Sequence, residues 1–130
     1  NQFYPRFKKW ADDYFFVEHR NETRGVGGIF FDHVDDSIGL SKDEILKFCI
    51  ELGDKFAELY EVQVNQGKDI EILQEHLNWM SIRRGRYVEF NLVHDRGTKF
   101  GLVSGGRTES ILMSLPKTAG WEYNHQPVEN

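Results

Sequence analysis

The sequence contains one cysteine (Cys49), three prolines and two methionines in 130 residues. A lone cysteine cannot build a disulfide framework, which points to a reducing compartment. No run approaches the roughly 18 apolar residues of a membrane-spanning helix, and no signal peptide is visible. Basic residues are not in excess: 16 Lys and Arg stand against 21 Asp and Glu, for a net charge of −5. That balance argues against general nucleic-acid affinity. There is no internal repeat and no low-complexity linker. Glycines 25, 27 and 28 are not followed by Gly-Lys-Ser/Thr and a helix, so a phosphate loop is set aside. The histidines show no metal-site spacing with cysteines or carboxylates. The chain opens without methionine inside an expected helix, so a longer N-terminal part is expected, and targeting is not legible.

Aromatic residues are plentiful, with ten Phe, five Tyr and three Trp. They can supply a sizeable core or an aromatic-lined pocket. Pro5 suits a first helical turn, and Phe3, Phe7, Trp10, Ala11, Tyr14 and Phe15 predict an amphipathic helix to about His19. Residues 21–24 break it, and Ile29-Phe30-Phe31 reads as a short buried strand after the glycines. Ser41 with Glu44 forms a capping box for a helix carrying Ile45, Phe48, Leu52, Phe56 and Leu59, with Gly67 beyond its end. Asp69 is expected to cap a second helix that stops near Gly85. The apolar stripes of both helices read as the cover of a sheet. Residues 117–130 have no regular period.

The stretch Arg83 to Pro116, RRGRYVEFNLVHDRGTKFGLVSGGRTESILMSLP, organises the rest. Tyr87, Glu89, Asn91, Val93 and Asp95 alternate with Val88, Phe90, Leu92 and His94, the period of a strand with one polar face. Arg96-Gly97-Thr98 and Gly105-Gly106 read as turns, Lys99 to Ser104 as a return strand, and Thr108 to Leu115 as a third apolar run. The fold expected is α+β, an antiparallel meander covered by helices, with residues 1–130 forming an incomplete part of one larger domain.

Several residues carry two readings. Arg83, Arg84 and Arg86 at a helix end either meet the helix dipole or recognise carboxylates through the planar guanidinium fork. Arg24, Arg96 and Arg107 are further candidates for binding an anion. Arg107 follows two glycines that let a ligand approach the backbone closely, or is a surface residue after a turn. Asp95 either starts a turn or aims a carboxylate into a pocket. His19 ends a helix and reads as a structural hydrogen-bonding residue or a functional one.

The motifs RRGRYVEFNLVHDRGTKFGL and GGRTESILMSLP, with YPRFKKWADDYFFVEHRNETRGVGGIFFD at residues 4–32, resemble the C-terminal core of oxygen-dependent coproporphyrinogen III oxidases. These motifs cover somewhat over half of the chain. The resemblance implies oxidative decarboxylation of two propionates of coproporphyrinogen III to vinyl groups, with O₂ as electron acceptor, giving protoporphyrinogen IX in haem biosynthesis. It implies no organic cofactor and leaves a metal open. It casts Asp95, with Arg96, as catalytic: a central carboxylate accepting pyrrole N–H groups. It casts Gly105, Gly106, Arg107 and Arg24 as substrate-binding. For His19 it implies either a metal ligand or a part in dimerisation, and it implies a homodimer using Tyr87 to Trp121. The family's general acid is a histidine in an N-terminal segment absent here, so this chain alone is expected to be inactive. The location implied is the cytoplasm or the mitochondrial intermembrane space. The alternatives are a non-catalytic tetrapyrrole-binding or dimerisation module and, more remotely, an anion-binding module for nucleic acid through Arg83 to Arg86.

Overall fold

The computed structural model describes residues 3–126. Helix α1 spans Phe3–Tyr14 and buries Phe7 and Ala11, one helical turn apart. It ends earlier than the apolar pattern predicts, because Phe16–Val17 (β1) pairs antiparallel with Glu22–Thr23 (β2), Phe16 opposite Thr23 and Val17 opposite Glu22. A 3₁₀ turn at Glu18–Arg20 and a left-handed Asn21 (φ 54°) close this hairpin. Asparagine tolerates that conformation better than most residues. His19 and Arg20 are thereby carried at the hairpin tip. Ile29-Phe30-Phe31 is not a strand. It has no regular secondary structure, and the Phe30 N–H donates to the Phe7 carbonyl at 3.1 Å.

The chain divides into two compact units, residues 31–72 and residues 1–30 with 73–130. The first holds α2, Lys42–Gly67, whose capping box is present. The Ser41 N–H donates to Glu44 Oε2 at 2.8 Å, and the Glu44 N–H donates to Ser41 Oγ at 3.4 Å. The helix runs through Gly67 rather than ending before it. Its own unit holds no described strand for the apolar stripe to cover: no residue of α2 is buried, and Phe56 is 69 % exposed.

In the second unit α3 spans Gln74–Glu89. It starts at Leu73, whose N–H is accepted by His76 Nδ1 at 3.1 Å, and not at Asp69. It continues past Gly85 into a π turn at Phe90–His94, where the Asp95 N–H reaches the Phe90 carbonyl. Gly85 is required because the Gly120 carbonyl and the Trp121 ring pack where its side chain would stand. Helices α4 (Arg96–Val103) and α5 (Thr108–Ile111) follow.

The architecture is α+β, but its antiparallel sheet is the 16–23 hairpin and not a meander over residues 83–116. Those residues are mostly helical. Strands leave every second backbone group needing a neighbour, and the described residues offer only two strands of two residues each. A helix satisfies the same groups locally. Ile82, Arg86 and Phe90, four apart, are buried on one face, and the Asn91 side-chain amide donates to the Tyr87 carbonyl at 2.8 Å. Arg96-Gly97-Thr98 is accordingly the first turn of α4; Arg83 and Arg84 lie within α3, and Arg86 lies in its last turn, as expected.

The core is built from Phe7, Ala11, Val17, Ile82 and Phe90. Around it the rings of Tyr14 and Phe30 stack at 4.7 Å and Phe15 lies 5.5 Å from Phe90. Such pairs add about 0.5–1.5 kcal/mol each beyond the area they bury.

Candidate functional site

Arg24 leaves the end of β2 with its N–H donating to the Phe15 carbonyl at 3.0 Å. Its guanidinium lies 3.9 Å over the Phe15 ring, 5.0 Å from Tyr87 and 5.1 Å from Phe90. The ring faces attract the cation. Burial pulls its pKa below the ordinary arginine value, while Tyr87, Asp95 and Tyr14 act in the other direction. An arginine stays charged through such a shift. Among the described residues no carboxylate lies within ion-pair distance of it. Arg24 also lines a cleft of about 90 Å³, with Asp12, Thr23 and Gly27 on its walls. Asp12 is itself paired to Lys8. Ligand pockets for whole organic molecules run to several hundred Å³, so this cleft suits one small anionic group.

Asp95 caps α4, with Oδ2 accepting the Thr98 N–H at 2.7 Å. The local role is thus a helix cap rather than the start of a turn. One oxygen makes the cap and the carboxylate keeps further lone pairs for a ligand. Of the predicted site residues, the structure brings Arg24 and Asp95 within electrostatic reach of each other. Arg96 is exposed in the first turn of α4. Gly105, at φ 74°, and Gly106 form the α4–α5 turn, and Arg107 begins α5 with its side chain 79 % exposed, 3.6 Å from Glu109. Such a surface pair contributes little, so Arg107 remains able to bind.

His19 belongs to a different constellation, centred on Glu89. The Glu89 carboxylate, 12 % exposed, accepts from His19 Nε2 at 2.8 Å, from Arg20 Nη2 at 2.6 Å and Nε at 2.9 Å, and from the Trp121 indole at 2.8 Å. The Arg20 hydrogen bonds are the main reason its pKa falls to about 2; partial burial opposes them, and His19 and Trp121 add to them. The other His19 nitrogen, Nδ1, faces His94 Nε2 at 3.2 Å with the rings stacked. Both nitrogens are thus engaged, and among the described residues no three His, Cys, Asp or Glu side chains are arranged to hold a metal. The residues present do not fit a metal centre at His19.

The basic residues of α3 meet carboxylates of this chain. Arg86, with a side chain 6 % exposed, donates from Nε to Glu22 and lies 3.7 Å from Glu89 through Nη1. Arg83 lies 3.1 Å from Glu22 and donates to the Thr23 carbonyl. Two of the three arginines on which the nucleic-acid reading of Arg83 to Arg86 rests are thus paired within the chain. The Glu22 and Glu89 partnerships were missed in the sequence, which placed Glu89 on a strand face. The signal available was the charge pattern itself, Arg20 and Glu22 answered by Arg83, Arg86 and Glu89.

Residues 1–130 match the family described as coproporphyrinogen III oxidase. The chain is 54 % identical over 127 residues to coproporphyrinogen-III oxidase 1, chloroplastic, of Arabidopsis thaliana, covering 98 % of this chain and 32 % of that protein. It is 55 % identical over 127 residues to the oxygen-dependent coproporphyrinogen-III oxidase, chloroplastic, of Hordeum vulgare, with the same coverage. It is 55 % identical over 125 residues to the oxygen-dependent coproporphyrinogen-III oxidase of Francisella tularensis subsp. holarctica, covering 96 % of this chain and 40 % of that protein. The chain thus spans about a third of the length of the plant relatives. By residues shared along its whole length, it belongs to the coproporphyrinogen III oxidase family.

Proposed function

We propose that this chain supplies part of the active site of an oxygen-dependent coproporphyrinogen III oxidase, as one part of a larger domain. The observation that carries the reading is the Arg24 guanidinium, held against three rings and, among the described residues, without a carboxylate at ion-pair distance, in a residue that lines a cleft of about 90 Å³. Coproporphyrinogen III bears four propionates, and a chain of net charge −5 needs local arginines to bind it. Arg24 holds one propionate, and Arg107, with the Gly105-Gly106 turn, holds another. Asp95 accepts pyrrole N–H groups and stabilises positive charge developing on the ring, with Arg96 beside it. Each reacting propionate loses its carboxylate as CO₂ and a hydride equivalent from its β-carbon, which leaves a vinyl group. For each propionate one O₂ takes up that hydride equivalent and one proton to become H₂O₂. The electron-rich substrate is itself oxidisable, so no organic cofactor is invoked, and a metal stays open.

A homodimer accompanies this function, with Tyr87 to Trp121 contributing to the interface. In that stretch Phe100, Val103 and Met113 are exposed, Val103 to 84 %, and exposed apolar surface of this kind marks association sites. A dimerisation or tetrapyrrole-binding module without catalysis is the competing reading. No described helix is long and apolar enough to cross a membrane. We place the protein in the cytoplasm, with the mitochondrial intermembrane space as the alternative; fractionation decides between them.

The test of activity uses protein of the relatives' full length and protoporphyrin fluorescence after autoxidation of the product. Conversion by wild type with loss in Asp95→Asn supports the enzyme. Binding of tetrapyrrole without conversion supports the module.

A further inference from the structure

The turn that presents Arg24 is pinned to α3 by charges in reciprocal order. On the hairpin stand Arg20 and then Glu22; on α3 stand Arg83, Arg86 and then Glu89. Arg20 meets Glu89, while Glu22 meets both Arg83 and Arg86. Reversing or sliding the hairpin would set like charges against each other, so this order admits one register. Arg83 also donates to the carbonyl of Thr23, the residue before Arg24. Tyr87 and Phe90, which with Phe15 surround the guanidinium, share a helical turn with Arg86 and Glu89. The same few residues of α3 therefore hold the backbone of Arg24 and shape the cage for its side chain.

Stability alone does not account for Arg86. Replacing a buried ion pair with apolar groups of like size is often neutral or stabilising. Here Nη1 of a buried guanidinium has no hydrogen-bond partner among the described residues. A group that adds little net stability and is imperfectly satisfied is accounted for by the register it enforces.

We infer that Glu22 and Arg86 are positioning residues for Arg24, setting its guanidinium in place to take a substrate carboxylate. The inference rests on the reading of Arg24 as a propionate-binding residue, and the experiment separates the two. The probe is coproporphyrin III, the oxidised tetrapropionate macrocycle, titrated into protein of full length by fluorescence quenching, with thermal unfolding followed in parallel. Arg24→Ala tests the underlying reading: an unchanged Kd removes it. Given a weakened Kd there, Glu22→Gln is expected to weaken binding about 10-fold, as expected for a misplaced charge-assisted contact worth about 1.4 kcal/mol. In an Arg24→Ala background the same substitution is expected to add nothing, because its effect passes through Arg24. Glu22→Gln/Arg86→Met, which removes both charges, is expected to keep the melting temperature while binding stays weak. A full, additive effect of Glu22→Gln in the absence of Arg24, or wild-type binding by the double variant, overturns the inference. Should the double variant not fold, Arg83→Lys, at a partly exposed site, is compared with and without Arg24→Ala in the same titration. Weaker binding only where Arg24 is present supports the inference, and an equal loss in both backgrounds, or no loss in either, overturns it.

Discussion

The Arg20 guanidinium donates to the Glu89 carboxylate at 2.6 Å through Nη2 and at 2.9 Å through Nε, joining the hairpin tip to the end of α3 across 69 residues. This fork is the largest of the effects that hold Glu89 in its charged form. It ties a two-residue-per-strand hairpin, too short to persist alone, to a helix.

The sign of the pH dependence follows. The Glu89 pKa is about 2 in the folded chain, against 4.5 for an unperturbed glutamate. The native state therefore binds its proton less readily than the unfolded state. Stability from this group is fully present above about pH 4.5 and is lost as pH falls through about 2. Glu89→Gln is expected to be destabilised at pH 7 by about 3 kcal/mol, as for a broken part-buried ion pair, and to lose less stability than wild type between those two values. Urea unfolding at several pH values measures this. Parallel curves for the two proteins would show that Glu89 titrates normally.

Trp121 is the neutral member of the same cluster. Trp121→Phe keeps a ring against Gly85 and removes only the indole donor. The expected cost is about 1 kcal/mol, with a small rise in the Glu89 pKa. Chemical-shift titration of the Glu89 carboxyl reports the second quantity. No change in either would mean that the 2.8 Å contact contributes nothing.

Asp95 has two roles that one substitution separates. Asparagine caps helices as well as aspartate, so Asp95→Asn is expected to keep α4 and the melting temperature. It lacks the charge, so turnover by protein of full length is expected to fall about 10²–10³-fold. Arg107→Ala is expected chiefly to raise KM, because a propionate contact is equal before and during reaction. Near-normal turnover in Asp95→Asn would leave the residue as a helix cap alone.

His19→Ala is expected to leave the metal content of full-length protein unchanged, since Nε2 is committed to Glu89 and Nδ1 to His94. Elemental analysis decides. Stoichiometric metal in wild type that disappears in the variant, with activity restored by added metal, would contradict this.

Much of the local structure is legible in the residues. Ser41 and Glu44 announce the start of α2, and Phe7 with Ala11 the buried face of α1. The stretch around Glu89 is not legible from its own pattern, because two periods coexist there. Tyr87, Glu89 and Asn91 alternate as in a strand, while Ile82, Arg86 and Phe90 repeat as in a helix. The choice between them depends on whether strand partners are present, which lies outside the stretch. The candidate site divides the same way. Arg24 and Asp95 stand out by residue type and by resemblance. The cage of Phe15, Tyr87 and Phe90 and the Glu22–Arg86 pairing join residues more than 60 positions apart, and single-residue reading does not reach them.

The decisive measurement is the affinity of full-length Arg24→Ala for coproporphyrin III, beside wild type and beside Arg84→Ala, an arginine of α3 outside the cage. Loss of one charge-assisted carboxylate contact, worth about 1.5–3 kcal/mol, predicts a Kd raised about 10- to 100-fold in Arg24→Ala and little changed in Arg84→Ala. Equal affinity in Arg24→Ala and wild type would contradict the assignment of this guanidinium to a substrate propionate.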